Sequence, residues 1–280
     1  MIPKKIHYCW FGGNPLSNLA QNCIASWKKH CPNYEYILWN EDNFNVNAIR
    51  YTKIAAKEKK WAFVSDYVRA YVIFNFGGIY LDTDVELCRP LDDLLDKSKC
   101  FGGFEDNGFV NPGLIFAGEK GSIISKELMD IYASYRLKKI KGTFNFIPIP
   151  EIFSKLLLKH GLKQNNVHQE LDAFTVYPTE YFCPKSLHTG LLSITDNTYS
   201  IHHFNGSWTT ERRQNIIQER WHFYEKYGND SYLVEMFENI NHYKKQSIDL
   251  VSLKKLYKTA IKRTIKRIIA LFCKKNHEKS

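Results

Sequence analysis

The most informative segment of this 280-residue chain is residues 77–86, Gly-Gly-Ile-Tyr-Leu-Asp-Thr-Asp-Val-Glu. The glycine pair tolerates positive φ and marks the end of a preceding helix. The apolar run after it predicts a strand, and because strand side chains alternate, Tyr80, Asp82 and Asp84 are expected on one side. Two carboxylates at the end of such a strand predict a charged carboxyl edge, where open α/β sheets bind ligands.

The segment before this strand, residues 54–76, gives the clearest helical pattern of the chain. Its apolar stripe consists of Val64, Val68, Tyr71 and Val72. Asp66 and Arg69 are three residues apart and share the opposite face, and an isolated surface pair of this kind stabilises a helix by only about 0.2–0.5 kcal/mol.

The N-terminal residues predict a β-α-β unit, with a strand over 5–11, a helix over 19–30 and a strand over 34–39. Beyond residue 86 we expect a loop followed by a strand over 109–117, a late strand over 199–204, and helices near 122–138 and 150–160. Strands alternating with helices are typical of an α/β sheet protein.

The charge of the chain is concentrated at its C-terminal end. The formal net charge is +10, and residues 241–280 hold 12 Lys or Arg against two acidic residues, so residues 1–240 are neutral with 27 charges of each sign. A neutral body argues against a nucleic-acid partner. We therefore expect a catalytic domain over 1–240 and a separate basic tail over 241–280.

The tail has the pattern of a basic amphipathic helix over residues 250–272, with lysines and arginines largely opposite the apolar positions. Such a helix lies on an anionic membrane surface, where each cation contributes about 1 kcal/mol. The alternative is a helix that packs on the domain with a solvated basic face.

The sequence contains neither a secretory signal nor a run of about 18 apolar residues that would span a bilayer. Its seven cysteines lack a Cys-x-x-Cys pair and are expected to be reduced thiols. These features predict a cytoplasmic protein attached peripherally to the inner face of the cytoplasmic membrane.

The Asp-x-Asp spacing at Asp82 and Asp84 suggests a site for a hard cation such as Mn²⁺ or Mg²⁺, which prefer carboxylate oxygens. The alternative is a turn with two solvated carboxylates, since this tripeptide occurs by chance in chains of this size.

Four segments together resemble glycosyltransferase family 32, which includes polysaccharide-locus transferases, fungal mannosyltransferases and glucosylating toxin domains. They are residues 6–13, 65–69, 77–84 and 202–208. The resemblance covers roughly residues 1–210 and implies a GT-A-type α/β fold, that is, a Rossmann-like nucleotide-sugar-binding sheet flanked by helices.

The family resemblance implies that Trp10 stacks on the nucleotide base, and the alternative is an ordinary core tryptophan. Asp66 and Arg69 resemble the family's pair facing the donor, in which the carboxylate binds sugar hydroxyls and the guanidinium holds an oxygen-rich group. Asp82 would bind ribose or sugar hydroxyls, and Asp84 would bind the cation directly.

The segment His203-Phe204-Asn205-Gly206 resembles the one that supplies a second metal ligand in related transferases. Adjacent strand residues point to opposite sides, so one histidine of 202 and 203 faces the cation, and His203 is the predicted ligand. The alternative is a hydrogen-bonded structural histidine. Predicted donor contacts are Tyr80, Asn111, Ser207 and Trp208, the last two in a segment that closes over the diphosphate.

The resemblance implies transfer of a hexosyl unit from a UDP- or GDP-sugar to a glycan or lipid-linked acceptor, with retention of configuration, in the synthesis of a surface polysaccharide such as a capsule. One alternative is a haloacid-dehalogenase-like phosphatase, although residues 100–240 lack a convincing late acidic pair. Another is a non-catalytic, membrane-attached glycan- or nucleotide-binding protein.

Overall fold

The apolar strand after Gly77 lies inside a mixed sheet in the computed structural model, which describes residues 1–140, 142–206, 209–228 and 237. The strands are β1 (Lys5–Cys9), β2 (Glu35–Trp39), β3 (Gly78–Tyr80), β4 (Val85–Leu87), β5 (Cys100–Gly103), β6 (Phe116–Gly118), β7 (Lys139–Ile140), β8 (Thr143–Phe144), β9 (Gln169–Leu171), β10 (Phe174–Tyr177) and β11 (Ser200–His202). The helices are α1 (Asn18–His30), α2 (Arg50–Lys57), α3 (Trp61–Phe76), α4 (Asp92–Leu95), α5 (Ile123–Ser134), α6 (Ile149–Leu158), α7 (Thr179–Phe182) and α8 (Glu211–Tyr227).

Seven strands form the main sheet in the order β2-β1-β3-β6-β5-β10-β9. The pairs β1–β2, β1–β3 and β5–β10 are parallel, and the pairs β3–β6, β5–β6 and β9–β10 are antiparallel. Strands β4 and β11 pair antiparallel in a separate ladder. The predicted α/β class and the β-α-β opening are confirmed.

The core lies along helix α3, which packs against β1, β3 and α5. Val64, Val68 and Val72 of the predicted stripe are completely buried. Gly77 ends the helix at φ 65°, and a Cβ built on it would lie 2.7 Å from the backbone N of Lys120. A glycine is therefore required here both by the backbone angle and by the close approach.

The helix expected near 122–138 ends at Ser134, and two elements predicted as continuous are interrupted in the structure. The helix expected over 54–76 is divided into α2 and α3, because Lys59 adopts the left-handed conformation at φ 54° and the Lys60 N–H closes α2 on the Ala55 carbonyl at 2.8 Å. The strand expected through Asp84 ends at Tyr80, and a turn joins β3 to β4, with the Val85 N–H donating to the Asp82 carbonyl at 3.1 Å.

The chain consists of two compact units, residues 1–220 and residues 221–280, each of which makes most of its contacts internally. The second unit is described only to residue 228 and at Phe237, so the predicted tail lies outside the described residues. The boundary at 240 and the two-part organisation stay predictions. In the described part of the chain no helix is both long and apolar enough to cross a bilayer, and its six cysteines are free thiols.

His7 of β1 is a buried histidine that joins β2 to the end of α3. Its Nδ1 accepts from Trp39 Nε1 at 3.1 Å, so its Nε2–H donates to the Gly77 carbonyl at 2.9 Å. The bond that Nδ1 accepts requires a neutral ring, since a protonated imidazole has no acceptor nitrogen. Burial lowers the pKa of His7 from its usual value near 6.5 to about 4.

We expect His7 to make the protein acid-sensitive. Between pH 6.5 and 4 the unfolded chain binds more protons than the folded chain does. The free energy of unfolding therefore decreases by on the order of 3 kcal/mol as the pH is lowered from 6.5 to 4. His7→Gln should be less stable at pH 7 and lose this part of the pH dependence in urea unfolding. The matched control is His168→Gln, at an exposed histidine; an identical pH dependence in wild type and His7→Gln would contradict the assignment.

Candidate active site

The acidic doublet lies in the turn that follows β3. The Asp82 N–H donates to the Gly113 carbonyl at 3.0 Å, and the Leu81 N–H donates to the His7 carbonyl at 3.1 Å. Asp82 and Asp84 therefore stand at the carboxyl end of β3, next to the carboxyl end of the parallel strand β1. This is the sheet edge at which the sequence predicts a ligand site.

Arg69 of α3 connects the helix to the doublet. Its Nη2 lies 3.1 Å from Asp66 Oδ1 and 3.3 Å from Asp82 Oδ1. The Tyr80 hydroxyl donates to the same Asp82 oxygen at 2.9 Å, and the guanidinium lies 4.7 Å from the centre of the Tyr80 ring. The structure thus brings together four predicted site residues, and the helix pair is a buried ion pair with 6% and 4% of its side chains exposed rather than a surface one.

Burial determines the titration of this network. Burial raises the pKa of Asp66 to about 7, although the Arg69 charge opposes the shift. Burial also raises the pKa of Asp82, again against the attraction of Arg69. For Arg69, burial disfavours the charge, but Asp82, Tyr80 and Asp66 together raise its pKa above the ordinary value. Arg69 is therefore a fixed cation between two carboxyl groups.

Asp84 has different partners. Its Oδ1 lies 3.2 Å from His202 Nε2, and its Oδ2 accepts the Asn205 N–H at 2.9 Å. Burial alone would raise its pKa, but the His202 imidazole and the Asn205 N–H lower it to about 2. Asp84 is consequently ionised at neutral pH.

The structure places His202, and not the predicted His203, beside the doublet. His203 Nε2 instead lies 2.9 Å from Glu86 Oε2, while its backbone N–H donates to the Asp84 carbonyl at 2.9 Å. The prediction assumed that a strand continues through Asp84, whereas the doublet lies in a turn and β11 pairs with β4, with His202 opposite Val85. Strand alternation therefore does not determine which histidine Asp84 meets.

Asp82, Asp84 and His202 fit a divalent cation. Each offers one ligand atom, and these atoms lie within 4.8 Å of one another. Two carboxylate oxygens and an imidazole nitrogen suit Mn²⁺ or Mg²⁺ completed by oxygens of a ligand or water. Within the described residues, the second ring nitrogen of His202 is buried without a hydrogen-bond partner.

A wall of the site is formed by the loop after β5. Asn111 is buried, and its Oδ1 accepts the Gly113 N–H at 2.7 Å. A Cβ built on Gly113 would lie 2.1 Å from Asp82 Oδ2 and 3.0 Å from Arg69 Nη1. Only glycine lets this backbone approach the doublet so closely. This requirement was not predicted, although Asn-Pro-Gly is a sequence signal for a tight loop.

The remaining predicted residues lie at the same edge or outside the described part. Trp10 follows β1 and is half-buried, and its Nε1 donates to the Asn14 carbonyl at 2.6 Å. Ser207 and Trp208 lie outside the described residues. His202 was considered beside His203 but was not the predicted ligand, and Glu105 was not predicted; Glu105 is a buried carboxylate with no motif of its own.

Comparison with known proteins gives a family match at this region. Residues 17–101 match the model described as the glycosyltransferase sugar-binding region containing the DXD motif. Inositol phosphoceramide mannosyltransferase 3 of Schizosaccharomyces pombe is 31% identical over 124 residues, which cover 41% of this chain and 33% of that protein. Inositol phosphoceramide mannosyltransferase 1 of the same yeast is 25% identical over 104 residues, covering 35% and 32%.

Subversion of eukaryotic traffic protein A of Legionella pneumophila is 26% identical over 121 residues, covering 33% of this chain and 18% of that protein. Among solved structures, PaToxG Glycosyltransferase gives a TM-score of 0.44 at 18% identity, covering 56% of this chain and 69% of that one. The chain spans about a third or less of the length of the curated relatives it matches.

The DXD match covers Asp82, Asp84 and the helix that carries Asp66 and Arg69. It includes two of the four segments from which the family was predicted, 65–69 and 77–84. The mixed sheet flanked by helices has the α/β organisation expected of a GT-A-type fold. Residues 17–101 are therefore similar to the DXD-containing sugar-binding region of glycosyltransferases, and this similarity supports a glycosyltransferase family 32-like assignment.

Proposed function

We propose that the chain transfers a hexosyl unit from a UDP- or GDP-sugar donor to a glycan or lipid-linked acceptor. The observation that carries this proposal is the buried network in which Arg69 joins Asp66 to the acidic doublet. Two relatives are named as mannosyltransferases, so a mannosyl unit is the first hexosyl group to test. The family match favours a transferase over the haloacid-dehalogenase-like phosphatase.

Asp82, Asp84 and His202 would hold a divalent cation, Mn²⁺ or Mg²⁺. When bound, such an ion supplies electrostatic stabilisation of the negative charge that develops on a nucleoside diphosphate. Their carboxylates and imidazole are buried or partly buried, and charge interactions are stronger in such surroundings than in water.

The chain's own residues bind and orient the donor in this proposal. Arg69 Nη1 is buried and has no hydrogen-bond partner among the described residues, so it is available to an oxygen-rich group of the donor. Asp66 and Asp82 fix the guanidinium from two sides. Trp10, at the same sheet edge, would stack on the base. Tyr80 donates a hydrogen bond to Asp82, and Asn111 accepts one from Gly113 in the loop wall.

Retention of configuration comes to the proposal from the family resemblance. In that scheme the acceptor attacks from the side of the leaving group, and an oxygen of the departing phosphate takes the acceptor's proton. A protein nucleophile is not required. Asp82, held by both Arg69 and Tyr80, would serve as a ligand rather than as a nucleophile.

The cellular role that we propose is the assembly of a surface polysaccharide at the inner face of the cytoplasmic membrane. The basic tail over 241–280 supports this proposal by its sequence alone. It would bring the catalytic domain to a lipid-linked acceptor.

Asp84→Asn removes one ligand charge without changing the side-chain shape. We expect release of nucleoside diphosphate from a panel of UDP- and GDP-sugars with Mn²⁺ to fall by about 100-fold or more. The control is Asp130→Asn on the exposed side of α5, which should keep full activity. Full activity of Asp84→Asn in a folded protein would refute the cation site.

The two adjacent histidines give a direct comparison. His202→Gln should weaken Mn²⁺ binding by about 10- to 100-fold in isothermal titration calorimetry, because it removes a ligand atom. His203→Gln should bind Mn²⁺ as the wild type does, since its ring pairs with Glu86. Weaker Mn²⁺ binding by His203→Gln, with unchanged binding by His202→Gln, would instead identify His203 as the ligand.

Membrane attachment is testable on the full chain with vesicles. Sedimentation with phosphatidylglycerol-containing vesicles should exceed that with phosphatidylcholine alone, and Lys254→Glu with Lys258→Glu should weaken it by about tenfold or more, since each cation contributes about 1 kcal/mol. The control reverses Lys28 and Lys29, two exposed lysines of α1. Equal binding by both double variants would show that the tail is not the attachment site.

A further inference from the structure

Glu105 is a buried carboxylate that the proposed mechanism does not use. It follows β5 in the loop that leads to Asn111, and only 5% of the residue is exposed. Its Oε1 accepts from Asn111 Nδ2 at 2.7 Å, and its Oε2 accepts from Asn107 Nδ2 at 2.9 Å. Both oxygens are therefore occupied by amide donors.

The Glu105 carboxylate determines how the Asn111 amide is oriented. An ionised carboxylate only accepts hydrogen bonds, so it requires the NH₂ end of Asn111. The carbonyl end must then face the other way, where it accepts the Gly113 N–H at 2.7 Å. A reversed amide would set two acceptors against each other at Glu105 and two donors against each other at Gly113.

Gly113 transmits this orientation to the doublet. Its carbonyl accepts the Asp82 N–H at 3.0 Å, and a Cβ built on it would reach within 2.1 Å of Asp82 Oδ2. A shift of this backbone therefore moves or obstructs the Asp82 side chain. The hydrogen bonds run without a break from Glu105 through Asn111 and Gly113 to Asp82.

Burying a carboxylate is costly, and a neutral side chain would hold a loop at lower cost. The charge is retained here at a position where it specifies one amide orientation beside the doublet. We propose that Glu105 is a positioning residue that, through Asn111 and Gly113, sets the place of Asp82 in the donor and cation site. This inference rests on the proposed function of that site.

A swap of the two functional groups tests the inference. Glu105→Leu removes the acceptor of the Asn111 amide, and Asn111→Asp places a carboxylate against Glu105, so each single variant breaks the chain of hydrogen bonds. The double variant combines Asn111→Asp with Glu105→Gln. In the double variant the new amide at 105 donates to the new carboxylate at 111, whose second oxygen accepts the Gly113 N–H. We expect each single change to lower kcat/KM for the donor and Mn²⁺ affinity by about 10- to 100-fold, and the double variant to regain most of both.

A matched control is Glu180→Leu, since Glu180 of α7 also accepts from an asparagine amide, that of Asn197 at 3.1 Å. It should leave kcat/KM and Mn²⁺ affinity unchanged. Hydrogen exchange of the peptide containing Gly113, measured without metal, should be faster in both single variants and near the wild-type rate in the double variant.

The outcomes are separable. Wild-type kcat/KM and Mn²⁺ affinity in Glu105→Leu, even with faster exchange at Gly113, would show a merely structural role and overturn the inference. Two single losses without recovery in the double variant would overturn it as well. If the wild-type protein turns over no donor, the proposed function fails, and Mn²⁺ affinity across the four proteins then decides the inference alone; absence of Mn²⁺ binding in the wild type overturns both.

Discussion

The site depends on one buried cation, the Arg69 guanidinium, held between carboxyl groups of a helix and of a strand-end turn. Burying an arginine is costly unless its charge is neutralised, and Asp66 and Asp82 do this from two sides. Removing either partner of such a buried pair typically costs about 3–5 kcal/mol, because the other charge is left unpaired. The interaction therefore fixes helix α3 against the end of β3 and also positions the acidic doublet.

The sheet topology explains why the site forms at this edge. Strands β1 and β3 are parallel neighbours, so Trp10 and the doublet emerge on the same side, whereas β6 returns antiparallel and brings the Gly113 loop against Asp82. The carboxyl groups gathered there outnumber the basic groups, because among the described residues Asp66, Asp82 and Asp84 share only Arg69 and His202. This set of ligand atoms suits a bound divalent cation.

Much of this site was predictable because its signals are local. The three-residue spacing of Asp66 and Arg69 and the strand followed by Asp-x-Asp follow from helix and strand periodicity. The choice between His202 and His203 could not be predicted from the sequence, because it depends on where β3 ends and on how β11 pairs with β4. Both are properties of the folded chain. The roles of Glu105 and Gly113 were not predicted for the same reason. Their contacts with Asn111 and Asp82 form only when the two loops come together in the folded chain.

The most direct test of this account is a crystal structure of the Mn²⁺-soaked protein with anomalous diffraction recorded near the manganese edge. The account predicts one strong anomalous peak within coordination distance of a carboxylate oxygen of Asp82, a carboxylate oxygen of Asp84 and a ring nitrogen of His202. A peak between His203 and Glu86, or a peak remote from the doublet, would contradict it.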